Sequence, residues 1–322
     1  MGNHSSVSTF LLWGFSSFPE LQGLLFVLVF VSLLTILAAN VSIMVAIKLR
    51  HNLHTPMYFL LCGLSFSETS VTLVIVPRML ADLLSDSKTM SLPECATQMF
   101  LFLGLAGNNC FIMAAMSYDR YSAICSPLRY AVLMSRQTCV QLLTASCVAG
   151  LLVSLCIVTT VFNLSFCDSN TIQHFFCDIS PVVCLACDYT PYHAMAIFAL
   201  SALVLVGSFI LIMTSYVFIG SVVTKMPSAQ GRHKAFSTCS SHLTVVCIHY
   251  GFASFVYLRP KDSDSFRGDM LMAVTYTVLT PLLNPIVYSL RNKEMQIALR
   301  KVLDSVRRLS PQTVNKRSLN TS

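Results

Sequence analysis

Seven long stretches of almost unbroken apolar residues divide the chain: Gly23–Ile47, Met57–Val76, Ala96–Tyr118, Thr138–Phe162, Ala194–Thr224, Ala235–Leu258 and Met270–Leu290. Each is close to the roughly 20 residues that a helix needs to cross hydrocarbon. None shows the alternating polarity, over about ten residues, of a barrel strand. Inside a bilayer every backbone amide must find its partner within the chain, so the pattern predicts an all-α membrane protein: a seven-transmembrane helix bundle. The fifth stretch is longer than the bilayer is thick and should project into water. Composition agrees, with 55% hydrophobic and 11% charged residues, against about 25% charged in soluble chains. A mean hydropathy of +0.69 excludes both a soluble globule and a disordered chain.

The placement of Lys and Arg predicts orientation. None precedes the first span, and none falls between Asn163 and Tyr192. Lys48 and Arg50 follow span one, Arg129 and Arg136 follow span three, and Lys225, Arg232 and Lys234 precede span six. The tail adds Arg291, Lys293, Arg300, Lys301, Arg307, Arg308, Lys316 and Arg317, while Lys88, Arg259, Lys261 and Arg267 form the outside minority. The N-terminus is therefore expected outside and the C-terminus inside, as in a multi-pass plasma-membrane protein. Residues 1–22 form an outer terminus, 23–291 the bundle, and 292–322 an inner helix and tail. The net charge of +7 follows from this topology and is no signal of nucleic-acid binding. The first span, without a basic region before it and too long for a cleavable core, is expected to act as an uncleaved signal anchor.

Cys95, Cys167, Cys177, Cys184 and Cys187 all fall on the oxidising side, where disulfides persist. Two bridges would leave one thiol over, and spacing alone leaves their pairing open. Cys184-Leu-Ala-Cys187 near His174 also has zinc-like spacing, but lacks a second pair. Of the four Asn-x-Ser sequons, Asn40 is within a span, Asn320 is inside and Asn163 lies at the membrane edge; Asn3 is the expected glycan site.

Ionisable groups within spans are costly and usually functional. Glu68 stands mid-span, with Asn40, Asn109 and Asn284 at compatible depths. Either this is a hard-oxygen site for a small cation, or a protonated Glu68 hydrogen-bonds across helices. At the inner end of span three, Asp119-Arg120-Tyr121 can form a local ion pair that opens when a partner inserts. Pro281 and Pro285 bracket Asn284, one turn before Tyr288, and should bend span seven. Beyond it, Met295, Ala298, Leu299, Val302, Leu303, Val306 and Leu309 recur at helical spacing between basic residues. That pattern suits a helix lying on the inner-leaflet lipids. No nucleophile elbow, embedded metal triad or phosphate-cradling loop points to an enzyme.

The chain resembles an olfactory receptor of the rhodopsin-like G-protein-coupled receptors, over nearly its whole length. The resemblance is carried by Leu53-His54-Thr55-Pro56-Met57-Tyr58-Phe59-Leu60, by Met113 to Tyr121, and by His174-Phe175-Phe176-Cys177-Asp178. Lys234-Ala235-Phe236-Ser237-Thr238-Cys239 and Pro281 to Asn292 complete it. It implies bridges Cys95–Cys177 and Cys167–Cys187, with Cys184 extra. It also implies release of Arg120 from Asp119 toward a stimulatory, olfactory-type heterotrimeric G protein that raises cyclic AMP, with Tyr216 and Tyr288 closing behind. Tyr250 takes the place of the Trp of most rhodopsin-like receptors. The family usually has Asp at Glu68 and Glu at Asn109; one carboxylate instead of two weakens the expected site for a sodium ion, the one candidate modulator, and no cofactor is expected. Ser117 and Ser122 replace small apolar residues.

By position, the ligand pocket is expected from Phe102, Leu103, Ala106, Gly107 and Cys110 of span three, and Leu200, Ser201, Val204 and Leu205 of span five. Tyr250, Ser254 and Tyr257 of span six and Val274 and Thr277 of span seven complete it. This set holds hydroxyls and a thiol but no carboxylate or amine. A charged ligand would lack a buried counter-charge, so small, mostly apolar odorants such as esters, ketones or aromatics are favoured. The alternatives are a receptor of the same superfamily for another small ligand, or a transporter. A transporter would need a polar path, and Glu68 is the one mid-membrane charge; internal repeats are also lacking.

Overall fold

A computed structural model of the chain describes residues 8–17, 19–85, 87–167, 170–257, 272–291 and 294–302. Asn3, the stretch 258–271 with Arg259, Lys261 and Arg267, Asn292, Lys293, and the tail from Leu303 with Val306, Leu309 and Asn320 lie outside it. Among the described residues six helices are long and apolar enough to cross a bilayer: α1 (Gln22–Leu49), α2 (Pro56–Leu84), α3 (Leu92–Cys125), α4 (Arg136–Phe162), α5 (Pro191–Thr224) and α6 (Ala229–Tyr257). At about 1.5 Å per residue they run roughly 40 to 50 Å. The shorter apolar helix Met272–Tyr288 lies within α7 (residues 272–291), and α8 covers residues 294–302. The faces of α1 and α5 that carry Leu24, Val27, Leu28, Val31, Phe198, Leu203 and Ile210 are exposed. In a membrane these side chains meet acyl chains.

Local sequence explains the starts of the helices. Pro56 and Pro191 occupy first-turn positions, where the missing N–H costs nothing. Ser91 and Glu94 form a reciprocal capping box on α3, and the Ser135 hydroxyl accepts the Thr138 amide N–H at the head of α4. Two elements depart from the sequence pattern. The second span does not stop at Val76 but continues through Pro77 to Leu84. Pro77 lacks the amide for its intrahelical bond, and Gln98 of α3 donates to the Val74 carbonyl at 3.2 Å in that turn. Arg78 then holds the extension, with Nε 2.9 Å from Asp82 Oδ1 and Nη2 donating to the Thr89 carbonyl at 2.6 Å. In α7 the widened π turn Thr275–Leu279 immediately precedes Pro281, which has no amide for the Thr277 carbonyl; the bulge absorbs that loss.

Three strands lie at one end of the bundle: β1 (Thr9–Leu12), β2 (Thr89–Ser91) and β3 (Thr171–Ile172), in the order β2-β1-β3. β1 pairs antiparallel with β2, Phe10 opposite Met90, and parallel with β3, Leu11 opposite Thr171. Period-two alternation turns Phe10 and Leu12 inward, where both are fully buried, and Phe10 meets Phe166 edge-on at 5.3 Å. Residues 9–12 are thus built into the bundle rather than trailing from it; a four-residue strand is too short to rise above the apolar background of the sequence.

α3 is the axis of the bundle. A Cβ on Gly150 of α4 would run into the Gly104 carbonyl oxygen and come within 2.8 Å of the Asn108 amide nitrogen, so glycine there sets the approach of α4 to α3. The Ser154 hydroxyl donates to the Phe100 carbonyl at 2.7 Å across the same interface. On the other side Asn108 Nδ2 donates to Ser67 Oγ of α2 at 3.0 Å.

Candidate ligand pocket and activation network

The structure joins Cys95 to Cys177 and Cys167 to Cys187, with Cα separations of 5.4 and 5.9 Å. The first bridge pins the 163–192 loop to the head of α3, and Gln98 Oε1 accepts the Cys177 amide N–H at 3.0 Å beside it. Cys187 is therefore no thiolate, and the zinc-like reading of Cys184 and Cys187 falls; Cys184 is exposed and outside both bridges. The second bridge is backed by Asp188, whose carboxylate accepts the Ser165 amide N–H at 2.9 Å and its hydroxyl at 3.0 Å. Those bonds, the amide first, hold the Asp188 carboxyl below its ordinary pKa. Below the loop, Phe175 and Phe176 are buried, and Phe176 meets Phe102 of α3 at 5.0 Å.

Beneath this plug lies a cavity of about 50 Å³. Of the residues expected from position, Leu103, Ala106, Gly107, Cys110, Ser201, Val204, Leu205 and Tyr257 line it. Phe102 sits behind, packed on Phe176 and Tyr276. Tyr250 lies below, its hydroxyl 2.7 Å from Ser208 Oγ and donating to the Cys110 carbonyl at 3.4 Å. Thr277 donates to the Ala273 carbonyl at 2.7 Å of its own helix. Leu200, Ser254, Val274 and Thr277 do not line the cavity; Leu200 packs in a second core around the loop, and Val274 against the main one.

Sequence reasoning missed one wall. Gly150, Val153, Ser154 and Ile157 of α4, with Tyr276 of α7, close the cavity. The small residues Gly150 and Ser154, one turn apart on one face of the span, were the available signal for that wall. His249 was missed as well; its Nε2 lies 3.4 Å from Cys110 Sγ and its ring packs against Tyr276 at 5.5 Å. Asp178 is the buried carboxylate of this region. It accepts the Ile179 amide N–H at 2.8 Å and a bond from the Tyr257 hydroxyl.

Half-way down, Asn284 Nδ2 donates to Glu68 Oε1 and joins α7 to α2. Asn40 instead donates to the Ile36 carbonyl of its own helix at 3.1 Å, and Asn109 makes no direct contact of this kind. The Oδ1 atoms of Asn40, Asn109 and Asn284 and Oγ1 of Thr280 are buried without a hydrogen-bond partner. Orphaned oxygens, that of Asn284 on the residue bonded to the Glu68 carboxylate, fit in donor chemistry a small hard cation or ordered water.

At the opposite end from the disulfides, Arg120 Nε is 3.5 Å from Asp119 Oδ2. This is a loose ion pair, longer than a charge-assisted hydrogen bond. The firmer partner of Asp119 is Tyr130, whose hydroxyl donates to Oδ1 at 2.7 Å. Burial and the adjacent carboxylate push the Tyr130 pKa well above its ordinary value, so it remains a donor. Tyr216 of α5 lies 2.7 Å from His242 Nδ1 of α6, and the His242 ring is fully buried. Tyr288 is buried with its hydroxyl lacking a hydrogen-bond partner. Tyr121 faces away, packed on Tyr118 and Phe218, and Ser117 bonds the Ala114 carbonyl at 2.7 Å with Ser215 of α5 at 3.5 Å. Met295 and Ala298 of α8 are buried in the main core. The described part of the amphipathic helix therefore packs its apolar stripe on the bundle.

Comparison with known proteins agrees with this architecture. The squid rhodopsin crystal structure superposes with a TM-score of 0.72 at 15% identity, covering 89% of this chain and 87% of that one; this shows the seven-helix receptor fold. The family model described as olfactory receptor matches residues 26–305. Human olfactory receptor 10R2 is 53% identical over 94% of this chain and 90% of its own length. Human olfactory receptors 10Z1 and 10T2 are 54% and 52% identical, each over 92% of this chain and 95% and 94% of theirs. The bundle, its disulfide-pinned plug and these matches together make the chain a member of the olfactory receptor family, rhodopsin-like receptors rather than enzymes.

Proposed function

We propose that this receptor lies with its disulfide-linked end outside the cell and its Asp119–Arg120–Tyr121 end in the cytoplasm. It binds small, uncharged, mostly apolar odorants in the cavity beneath the disulfide-pinned loop and activates a stimulatory, olfactory-type G protein at its cytoplasmic end, raising cyclic AMP. The observation that carries the ligand class is the lining of the cavity: Ser201, Ser154, Tyr257, Tyr276 and Cys110 are its polar groups, among apolar walls. A molecule with one or two hydrogen-bonding atoms can be satisfied there, whereas an ammonium would lose its hydration without a lining counter-charge. The cavity is smaller than an odorant, so a ligand must displace side chains. Tyr250 is the side chain best placed to transmit that displacement. It shares α6 with His242, eight residues or about 12 Å below, so a push at Tyr250 acts on the Tyr216–His242 bond that ties α6 to α5.

Release of α6 opens a cleft beside Arg120, whose long ion pair with Asp119 is readily exchanged for a G-protein contact. Asn40, Glu68, Asn109 and Asn284 would hold a sodium ion if one binds; its charge would be neutralised by the single carboxylate, and α2 and α7 would be braced together. A panel of esters, ketones and aromatics against size-matched cationic amines, read by a cyclic-AMP reporter, tests the ligand class. Responses confined to the uncharged members support it. An amine response abolished by Asp178→Asn would transfer the assignment to an amine receptor.

A further inference from the structure

A second cavity, larger than the ligand pocket, lies away from it. It holds about 890 Å³ where the foot of α1, the heads of α2 and α4 and the connector before α4 meet. Its mouth carries Lys48, His54 and Arg136, and its floor includes the fully buried Leu53 and Met134. No Asp or Glu lines it. Glu294 accepts the Tyr58 hydroxyl at 3.4 Å in the first turn of α2 but is not part of the wall. Among the described residues neither Lys48 nor Arg136 is in a salt bridge. The N-terminal residues of two helices, Thr55 of α2 and Ser135 of α4, also line it, and the Thr55 side chain makes no cap bond. Each helix N-terminus presents about half a positive charge. With Lys48 and Arg136 the cavity gathers roughly three positive charges before His54 is counted. Leu53, His54, Thr55, Pro56 and Phe59 of the Leu53–Leu60 motif, which takes no part in the ligand pocket or the Arg120 network, form one wall.

We infer that this cavity binds an inositol phospholipid bearing phosphomonoesters, its headgroup among Lys48, His54 and Arg136 and its glycerol and acyl stem along the apolar floor. Three positive charges exceed what a singly charged headgroup neutralises, and match one with added phosphates. The apolar floor and the place of the cavity at helix ends, where a bilayer has its headgroups, favour an amphiphile over a soluble phosphate. The chemistry of the site is independent of orientation; assignment to the inner leaflet rests on the orientation proposed above.

The test uses the full chain in phosphatidylcholine nanodiscs with a fluorescent phosphatidylinositol bisphosphate as probe. Both bilayer faces are accessible there, so a wrong orientation would not abolish binding, and tags on the two chain ends in intact cells test orientation separately. Saturable binding is expected, weakened about thirtyfold by the double change Lys48→Gln with Arg136→Gln. Ala131→Trp, which places an indole in the lipid's path without altering charge, should weaken it as well. If the double variant does not fold, Ala131→Trp decides alone. Unchanged binding in the folded variants would overturn the site. Equal affinity for phosphatidylserine would overturn the headgroup assignment, and equal competition by free inositol phosphates would overturn the lipid assignment.

Discussion

The bond between Tyr216 and His242 is the most direct handle on the resting state. Both groups are held between α5 and α6, at 2.7 Å, with ring centroids 5.9 Å apart. His242→Phe keeps the stacking and approximate volume but removes the nitrogen. The Tyr216 hydroxyl is then left in a mostly apolar surround, a penalty of about 1–3 kcal/mol for an unsatisfied buried group. That penalty falls on the closed arrangement only, because an opened α6 lets the hydroxyl reach water or Arg120. At about 2 kcal/mol the closed-to-open equilibrium shifts roughly thirtyfold. Basal cyclic AMP should therefore rise severalfold at matched surface expression, and the half-maximal odorant concentration should fall. Tyr216→Phe separates two roles: it breaks the same bond but also deletes the hydroxyl that an active state would offer to Arg120, so its basal gain should be smaller. Unaltered basal output from His242→Phe at equal surface level would show that this bond does not restrain α6.

Three further outcomes follow from the same geometry. Arg120→Ala should abolish cyclic-AMP output while odorant binding to purified receptor persists; full signalling would remove Arg120 from the coupling role. Gly150→Ala forces a Cβ to within 2.8 Å of the Asn108 amide nitrogen, so α4 must retreat. A cost of about 1–3 kcal/mol from overpacking should lower the thermal midpoint and surface yield, and an unchanged midpoint would refute the close approach. Asp188 has a depressed carboxyl pKa, so its contribution to loop anchoring is fully present above the unfolded value of about 3.9. It is lost as pH falls through the folded value. Asp188→Asn at neutral pH should therefore expose the 163–192 loop to protease as acid does in the parent, and equal protection of the two proteins at both pH values would refute the anchor.

What the sequence makes legible and what it hides divide along a physical line. Span count, helix type and the inward placement of Glu68 are consequences of one solvent constraint, that hydrocarbon tolerates neither open backbone nor stray charge. Each residue reports on that constraint by itself. The path of α2 through Pro77 is different in kind, because it depends on Gln98 and Thr89, residues supplied by other elements. Likewise β1 exists because β2 and β3 offer their edges, and no four-residue apolar stretch announces such partners. The pocket shows the same limit. α3 and α5 positions could be ranked by depth, yet the distinction between lining and packing also depends on Gly150, whose missing side chain brings α4 against α3. Latch geometry follows this rule too: Tyr216 and His242 are separated by a loop in sequence, and only the crossing of α5 and α6 makes them partners. In this family, then, a residue's depth is written in its own neighbourhood, while its role is set by helices elsewhere in the chain. Substitutions at the contact points, rather than at the most polar positions, are the ones that should separate folding from signalling.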